Sequence, residues 1–326
     1  MGSSCTKTNK IDNTKTNNTD NTKKNNADNT KSNILLEWKS EYPLYKYHWW
    51  PMKESISPYF NNLYCKSGGL DKYDQLFGTK SVEYQKEFYF RSRDSNKSDS
   101  DWAGFCDKAT ILSCLYKYPP NCVNVSYDNK VIEFKPKDIE MLMIIACDNS
   151  IKNNISIFLG KRNNYKDNHS AKSEPYPSDL LQMLKIMCSS PEPFAMDIDN
   201  GSAVWNYPYD SVEVSVHLLH PEYNTYDKHI NYLKFILSSS SYPDKNLELW
   251  GYMKTDIVKL SNIGTIGQQE EGWITDNHPD FLWRKFPKYN CWSGKCTTNP
   301  EISAEIVYKI YQASLRNKEL HLDKIL

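Results

Sequence analysis

The chain has 326 residues, with 40 basic and 40 acidic side chains, and aromatic residues make up 13% of it. A formal net charge of zero argues against a nucleic-acid-binding platform, which needs a basic excess on one face. No apolar run approaches the roughly 20 residues of a membrane-spanning helix. The aromatic content is sufficient for a sizeable core.

The N-terminal segment, residues 1–33, consists almost entirely of Asn, Thr, Lys, Asp and Ser. Such a segment has too few apolar side chains to offset the entropy lost on ordering, so we predict a disordered tether. Its first residues fit the pattern for myristoylation of Gly2, with Cys5 placed for a second acyl chain. Lipid modification of Cys5 after loss of a leader peptide is the alternative. Two acyl chains anchor a protein stably, so the expected locations are a membrane surface or the cell exterior.

Residues 34–326 are predicted to form a single domain, in which residues 34–100 are an accessory part and residues 101–326 the catalytic core. The accessory part is rich in aromatic residues and is broken by prolines, which indicates short helices and loops. Within it, Tyr47-His48-Trp49-Trp50 is interpreted as buried anchor material, with His48 as a core histidine.

Hydrophobic periodicity and turn signals then predict the elements of the core in chain order. They are a helix from Cys106 to Tyr118, a strand at Val131–Phe134, a helix from Pro136, a strand at Ile155–Leu159, a helix capped at Ser178-Asp179, strands at Phe194–Ile198 and Ala203–Trp205 around a turn at Asn200-Gly201, a strand at Val212–Leu219, a helix or strand at 229–237, strands at Leu247–Met253 and Asp256–Leu260, and a helix at Ile302–Leu326. Helices followed by antiparallel strands predict an α+β fold.

Cys106 is the candidate nucleophile because it stands directly before an apolar helix. A helix N-terminus lowers the pKa of a thiol through its N–H groups and the positive end of its dipole. The same amides can stabilise a tetrahedral oxyanion. The alternative is a small buried residue at a helix start, since cysteine is among the most buried residue types.

Several islands of sequence resemble the oomycete transglutaminase elicitors: Trp102, Gly104 and Cys106; Phe158-Leu159-Gly160; Phe194 to Asp197; Val204-Trp205-Asn206-Tyr207-Pro208; His278-Pro279-Asp280-Phe281-Leu282-Trp283; and Asn299-Pro300. That family forms glutamyl–lysine crosslinks with a Cys-His-Asp triad. The resemblance extends in islands over about residues 40–315 and is most specific at Val-Trp-Asn-x-Pro, whereas Phe105 replaces a histidine of the family. It implies a papain/transglutaminase-like core, in which the helix that starts at Cys106 packs on an antiparallel sheet.

The resemblance assigns Cys106 as the nucleophile and Asp197 as the carboxylate that orients the histidine. Asp199 is the neighbouring alternative, because residues two apart share one face of a strand. Leu181 stands where the family has its histidine, so His169 in the preceding polar loop is the candidate base. Trp102, Gly104, Trp205 and Asn206 are supporting residues, with Asn206 as an amide near the carboxylate.

These assignments imply a thiol acyltransferase of the protein-glutamine γ-glutamyltransferase type, whose partners are protein substrates with Gln and Lys side chains. Two alternatives remain: a degenerate member that acts by binding or surface display, and a cysteine peptidase or deamidase on the same fold. No cofactor and no metal is expected. Asp276, Asp280, Glu270 and Glu271 are rich in oxygen ligands, but the sequence has no twelve-residue calcium loop.

Overall fold

The computed structural model describes residues 33–52, 63–92, 104–152, 155–161, 175–198, 204–221, 230–254, 270–286 and 292–324. Several predicted features lie outside the described residues: the tether with Gly2 and Cys5, Trp102, His169, Asp199, the turn at Asn200-Gly201 and the strand at Asp256–Leu260. Residues 32–326 group into one compact unit. The domain boundaries at residues 33/34 and 100/101 stay predictions.

The α-helices of the described residues are α1 (Gly69–Phe77), α2 (Ser81–Ser92), α3 (Cys106–Leu115), α4 (Pro136–Lys152), α5 (Pro177–Met187) and α6 (Ala304–Arg316). The strands are β1 (Asn33–Lys39), β2 (Val123–Tyr127), β3 (Lys130–Phe134), β4 (Ile155–Gly160), β5 (Phe194–Asp197), β6 (Asn206–Tyr209), β7 (Ser211–His217), β8 (Ile230–Ser238), β9 (Leu247–Lys254), β10 (Glu271–Trp273), β11 (Phe281–Phe286) and β12 (Leu320–His321).

These strands form three sheets. The largest is antiparallel, with strand order β1-β7-β8-β9-β10, and the second is antiparallel with order β4-β11-β5-β6. In the third, β12-β2-β3, the short β12 runs parallel to β2. The combination of helices with mainly antiparallel sheets confirms the predicted α+β class.

Four element predictions are corrected. The helix predicted from Cys106 to Tyr118 ends at Leu115, since Tyr116 is extended. The accessory part begins with β1, a strand that pairs with β7 far along the chain. The strand predicted at Ala203–Trp205 begins at Asn206, because the backbone N–H of Trp205 donates to the Asp197 side chain. The C-terminal helix ends at Arg316, where Asn317 adopts a left-handed conformation (φ 51°), and the chain continues into β12.

Two apolar cores lie on opposite faces of β11. The first contains buried residues of α1, α3, α4 and α6, and the second lies between α5 and the five-stranded sheet. Phe281 and Trp283 belong to the first core and Leu282 to the second. Successive side chains of a strand point to opposite faces, so β11 contributes to both cores and carries Trp283 toward α3.

The aromatic segment of the accessory part is buried as predicted at two of its four positions. Tyr47 and Trp50 are 1% and 0% exposed and belong to the first core. His48, by contrast, is exposed, and its interpretation as a core histidine is wrong. Tyr47 and Trp50 therefore anchor this segment in the core, and His48 stays exposed at the wall of a cavity described below.

Candidate functional site

Cys106 is the first residue of α3, which confirms the predicted start of this helix. The preceding residue fixes that start: the N–H of Phe105 donates to the carbonyl oxygens of Trp49 (2.7 Å) and Trp50 (3.0 Å), and its ring is buried. Gly104 permits this close approach, since a Cβ at its position would lie 2.0 Å from the Trp49 ring. The accessory part therefore positions the thiol.

The sulfur of Cys106 lies against β6. Its thiol donates to the carbonyl oxygen of Val204 (3.5 Å), and the side-chain amide of Asn206 approaches the sulfur to 3.9 Å. The Asn206 Oδ1 accepts from the indole N–H of Trp283 (2.7 Å), and the Asn206 carbonyl oxygen accepts from the Thr110 hydroxyl (2.9 Å). Asn206 is thus held from β11 and from α3, and its amide N–H group is directed at the sulfur.

Asp197 is fully buried at the end of β5 and pairs in register with Asn206. Its Oδ1 accepts the backbone N–H of Trp205 at 2.7 Å. The carboxylate therefore fixes the backbone that enters β6 and, through it, the position of Asn206. Its predicted role in orienting a histidine stays a prediction.

The environment of Cys106 favours the neutral thiol. Burial raises the pKa of the Cys106 thiol, and the charges of Asp107 and Asp197 raise it further. The hydrogen bonds with Asn206 act in the opposite direction and are outweighed. Since the thiolate is the nucleophilic form, a reaction at Cys106 requires a group that accepts its proton.

Two cavities meet at Cys106. The first, of about 510 Å³, has a mainly apolar lining, and the second, of about 420 Å³, is rich in tyrosine and charged side chains. Trp49, Cys106, Trp205 and Asn206 line both. The thiol therefore belongs to a wall that the two cavities share.

Glu140 and His48 are two of the titratable residues that line the second cavity together with Cys106. Glu140 of α4 accepts from the backbone N–H of His48 and from the Tyr118 hydroxyl (3.2 Å), and burial raises the pKa of Glu140 to about 7. Although part of the His48 side chain is exposed, its partial desolvation at the cavity wall lowers the pKa of the imidazole, and the charges of Lys137 and Lys46 lower it further. This lowering favours the neutral form of the His48 imidazole.

Sequence reasoning did not assign either group to the site. The signal for Glu140 was available, because it is an acidic residue within the apolar run of α4 and flanks the buried Ile139 and Met141. His48 carried no such signal, since its place in the wall of this cavity depends on contacts between segments far apart in sequence.

Leu181, at the expected histidine position, is fully buried in the second core with Leu180 and Leu184 and lines neither cavity. A histidine introduced there would enter an apolar core instead of approaching Cys106. His217 and His220 pack against Trp250 in the five-stranded sheet.

The acidic residues considered for a cation have other contacts. Glu270 pairs with Lys254 at 2.5 Å, and Glu271 accepts from the backbone and hydroxyl of Ser178 at the start of α5. Among the described residues, no group of three or more His, Cys, Asp and Glu side chains is arranged to hold a metal ion. Over the same part of the chain, no helix is both long and apolar enough to cross a membrane.

No family model, curated protein or solved structure matches this chain. The functional assignment therefore depends on the residues and geometry around Cys106.

Proposed function

We propose that the protein is a transglutaminase-like thiol acyltransferase with Cys106 as its nucleophile. The observation that carries this proposal is the position of Cys106 on the wall shared by two cavities. An acyl donor and an acyl acceptor can then approach one sulfur from different sides. The packing of α3 on β5 and β6 supports a papain/transglutaminase-like core.

In the proposed reaction, the Cys106 thiolate attacks the carbonyl carbon of a glutamine side chain and forms a C–S bond. The C–N bond then breaks, and the nitrogen leaves as ammonia after it receives a proton. A lysine amine then attacks the thioester carbon, so that a new amide C–N bond forms, the C–S bond breaks, and the proton lost by the amine returns to the Cys106 sulfur. The Asn206 amide and the N-terminus of α3 supply hydrogen-bond donors near the sulfur. These donors can stabilise the negative charge that develops on the substrate carbonyl oxygen during the attack.

We assign His48 as the group that accepts the thiol proton. It lines the second cavity with Cys106, and its lowered pKa keeps the imidazole neutral and able to accept a proton. His169, the candidate from the sequence, lies outside the described residues and is the comparison in the test. Asp197 then acts through Trp205 and Asn206 as a positioning residue.

A second candidate function is binding or display without catalysis. The observation that favours it is the raised pKa of the Cys106 thiol, because a buried neutral thiol is a poor nucleophile. In a deamidase, water takes the place of the lysine amine; in a peptidase, water does so as well, and the group that leaves in the first step is the amine of a peptide instead of ammonia.

The proposed substrates are proteins that present Gln and Lys side chains. The N-terminal pattern supports a further proposal about the location of the protein: acylation at Gly2, at Cys5 or at both would hold the enzyme at a membrane surface. Mass spectrometry of the N-terminal peptide from the native source tests this, and an unmodified peptide that retains Met1 would exclude acylation at Gly2.

The test of the proposed function separates the two halves of the reaction. The full chain is mixed with a glutamine-containing peptide without amine, quenched in acid, and analysed by mass spectrometry for an acyl adduct on Cys106. A primary amine is then added, and its incorporation into the peptide is measured. We expect an adduct on Cys106, amine incorporation, and loss of both in Cys106→Ala.

The control is Cys122→Ala, which removes an exposed thiol that lines neither cavity. It should retain full activity. His48→Gln should slow adduct formation about 10²–10⁴-fold, the usual contribution of a general base, whereas loss in His169→Gln alone would move the base to that residue. If the adduct yields only glutamate when amine is added, the protein is a hydrolase. If no adduct forms on Cys106, the acyltransferase proposal is refuted and the binding function is supported.

A further inference from the structure

The first cavity is surrounded by aromatic rings. Trp49 and Trp205 meet edge to face, with ring centroids 6.3 Å apart, and Phe158 and Phe281 stack with centroids 4.9 Å apart. Trp283, which holds Asn206, lines the same space. Aromatic rings favour a further ring that stacks or meets them at an edge, so this lining is suited to a flat aromatic group.

The charges in this lining are balanced. Lys285 and Asp107 are both wall residues, and burial lowers the pKa of Lys285 while the negative charge of Asp107 opposes that effect. Because these two charges have opposite signs, the lining gives no net advantage to an anionic or a cationic ligand. An uncharged ligand also avoids the cost of desolvating a charge beside apolar walls.

We propose that the first cavity selects an acyl donor that carries an uncharged aromatic group next to the reacting carboxamide. The ring lies between the Trp49–Trp205 pair and the Phe158–Phe281 pair, and the carboxamide faces the Cys106 sulfur. The volume of about 510 Å³ is within the range of small-ligand sites. This proposal deepens the proposed function, on which it rests for the carboxamide.

The test uses two amides that differ only in the ring: 3-phenylpropionamide and propionamide. Their binding to the full chain is measured by calorimetry. Burial of a phenyl group corresponds to about tenfold to a hundredfold in affinity, and we expect a difference of that size. 3-Cyclohexylpropionamide should bind more weakly than the phenyl compound, and a ring bearing a carboxylate should bind no better than propionamide.

Phe158→Ala removes one wall at a site where the side chain is 53% exposed. It should weaken binding of the phenyl amide about threefold to tenfold, and Phe158→Tyr, which keeps the ring, should not. Tyr42→Ala, at another exposed aromatic residue that lines neither cavity, is the matched control and should have no effect. Equal binding of the two amides, or unchanged binding in Phe158→Ala, would overturn the proposal.

Binding is measured again in Cys106→Ala, since contacts with the rings do not require the sulfur. Tight, ring-dependent binding in this variant, with no acyl adduct in the wild type, supports the aromatic site and refutes the acyltransferase. An acyl adduct on Cys106 that forms equally well from both amides supports the acyltransferase and refutes the aromatic site.

Discussion

Replacing Glu140 with Gln should change how the stability of the protein depends on pH. In the folded protein, the carboxyl group accepts from the His48 backbone N–H and the Tyr118 hydroxyl. The Gln oxygen can keep the first bond, and the tyrosine hydroxyl can accept from the Gln amide group in the second. The substitution therefore removes the titration and retains the hydrogen-bonded arrangement.

The size of the effect follows from linkage. Burial raises the pKa of Glu140 from 4.5 to about 7, and each unit of pKa corresponds to about 1.4 kcal/mol. The folded state thus favours the protonated carboxyl. Its contribution to stability is complete below pH 4.5 and is lost as the pH rises to about 7, which amounts to about 3 kcal/mol.

Urea unfolding of wild type and Glu140→Gln at pH 4.5, 6, 7 and 8 measures this effect. The free energy of unfolding of the variant, minus that of wild type, should increase by about 3 kcal/mol from pH 4.5 to 8. His48, whose pKa is lowered, changes stability in the opposite direction but is present in both proteins. A difference that stays constant with pH would refute the assignment of a buried, titrating carboxyl group to Glu140.

Two further substitutions distinguish the site from the scaffold. Trp283→Phe leaves the buried Oδ1 of Asn206 without its hydrogen-bond donor. The free energy of unfolding should therefore fall by about 1–3 kcal/mol, and the rate at which iodoacetamide alkylates Cys106 should change. Asp74→Ala removes the side chain that accepts from the first backbone N–H groups of α2. The free energy of unfolding, measured in urea, should fall by about 1–2 kcal/mol, and the alkylation rate of Cys106 should not change. An altered rate in Asp74→Ala would contradict the separation of this cap from the site.

Local signals predicted the helices and strands that lie close together in sequence. The start of α3 at Cys106 and the strands β3 and β4 are examples, because a helix start and a short strand depend on neighbouring residues. The pairings of β1 with β7 and of β12 with β2 could not be predicted in this way. Their partners are more than 150 residues apart in sequence, and no local pattern specifies such a partner.

The candidate site likewise combines residues that the sequence indicated with contacts that only the tertiary structure reveals. Cys106 was indicated by its place at a helix start and Asp197 by the resemblance to the elicitor family, and the structure places both residues around Asn206. The bond from Trp283 to Asn206 and the place of His48 in the cavity that Cys106 also lines depend on the packing of distant segments. Sequence thus indicated which side chains are chemically suitable, and the tertiary contacts determine which of them meet.

The position of β11 between the two cores restricts insertions and deletions in this strand. One residue added or removed before Trp283 would exchange the two faces of the strand beyond that point. The indole would enter the core between α5 and the large sheet, and the side chain of Leu282 or Arg284 would face Asn206 instead. Substitutions in β11 can be accommodated singly, whereas a change in its length would alter the thiol site and both cores in one step.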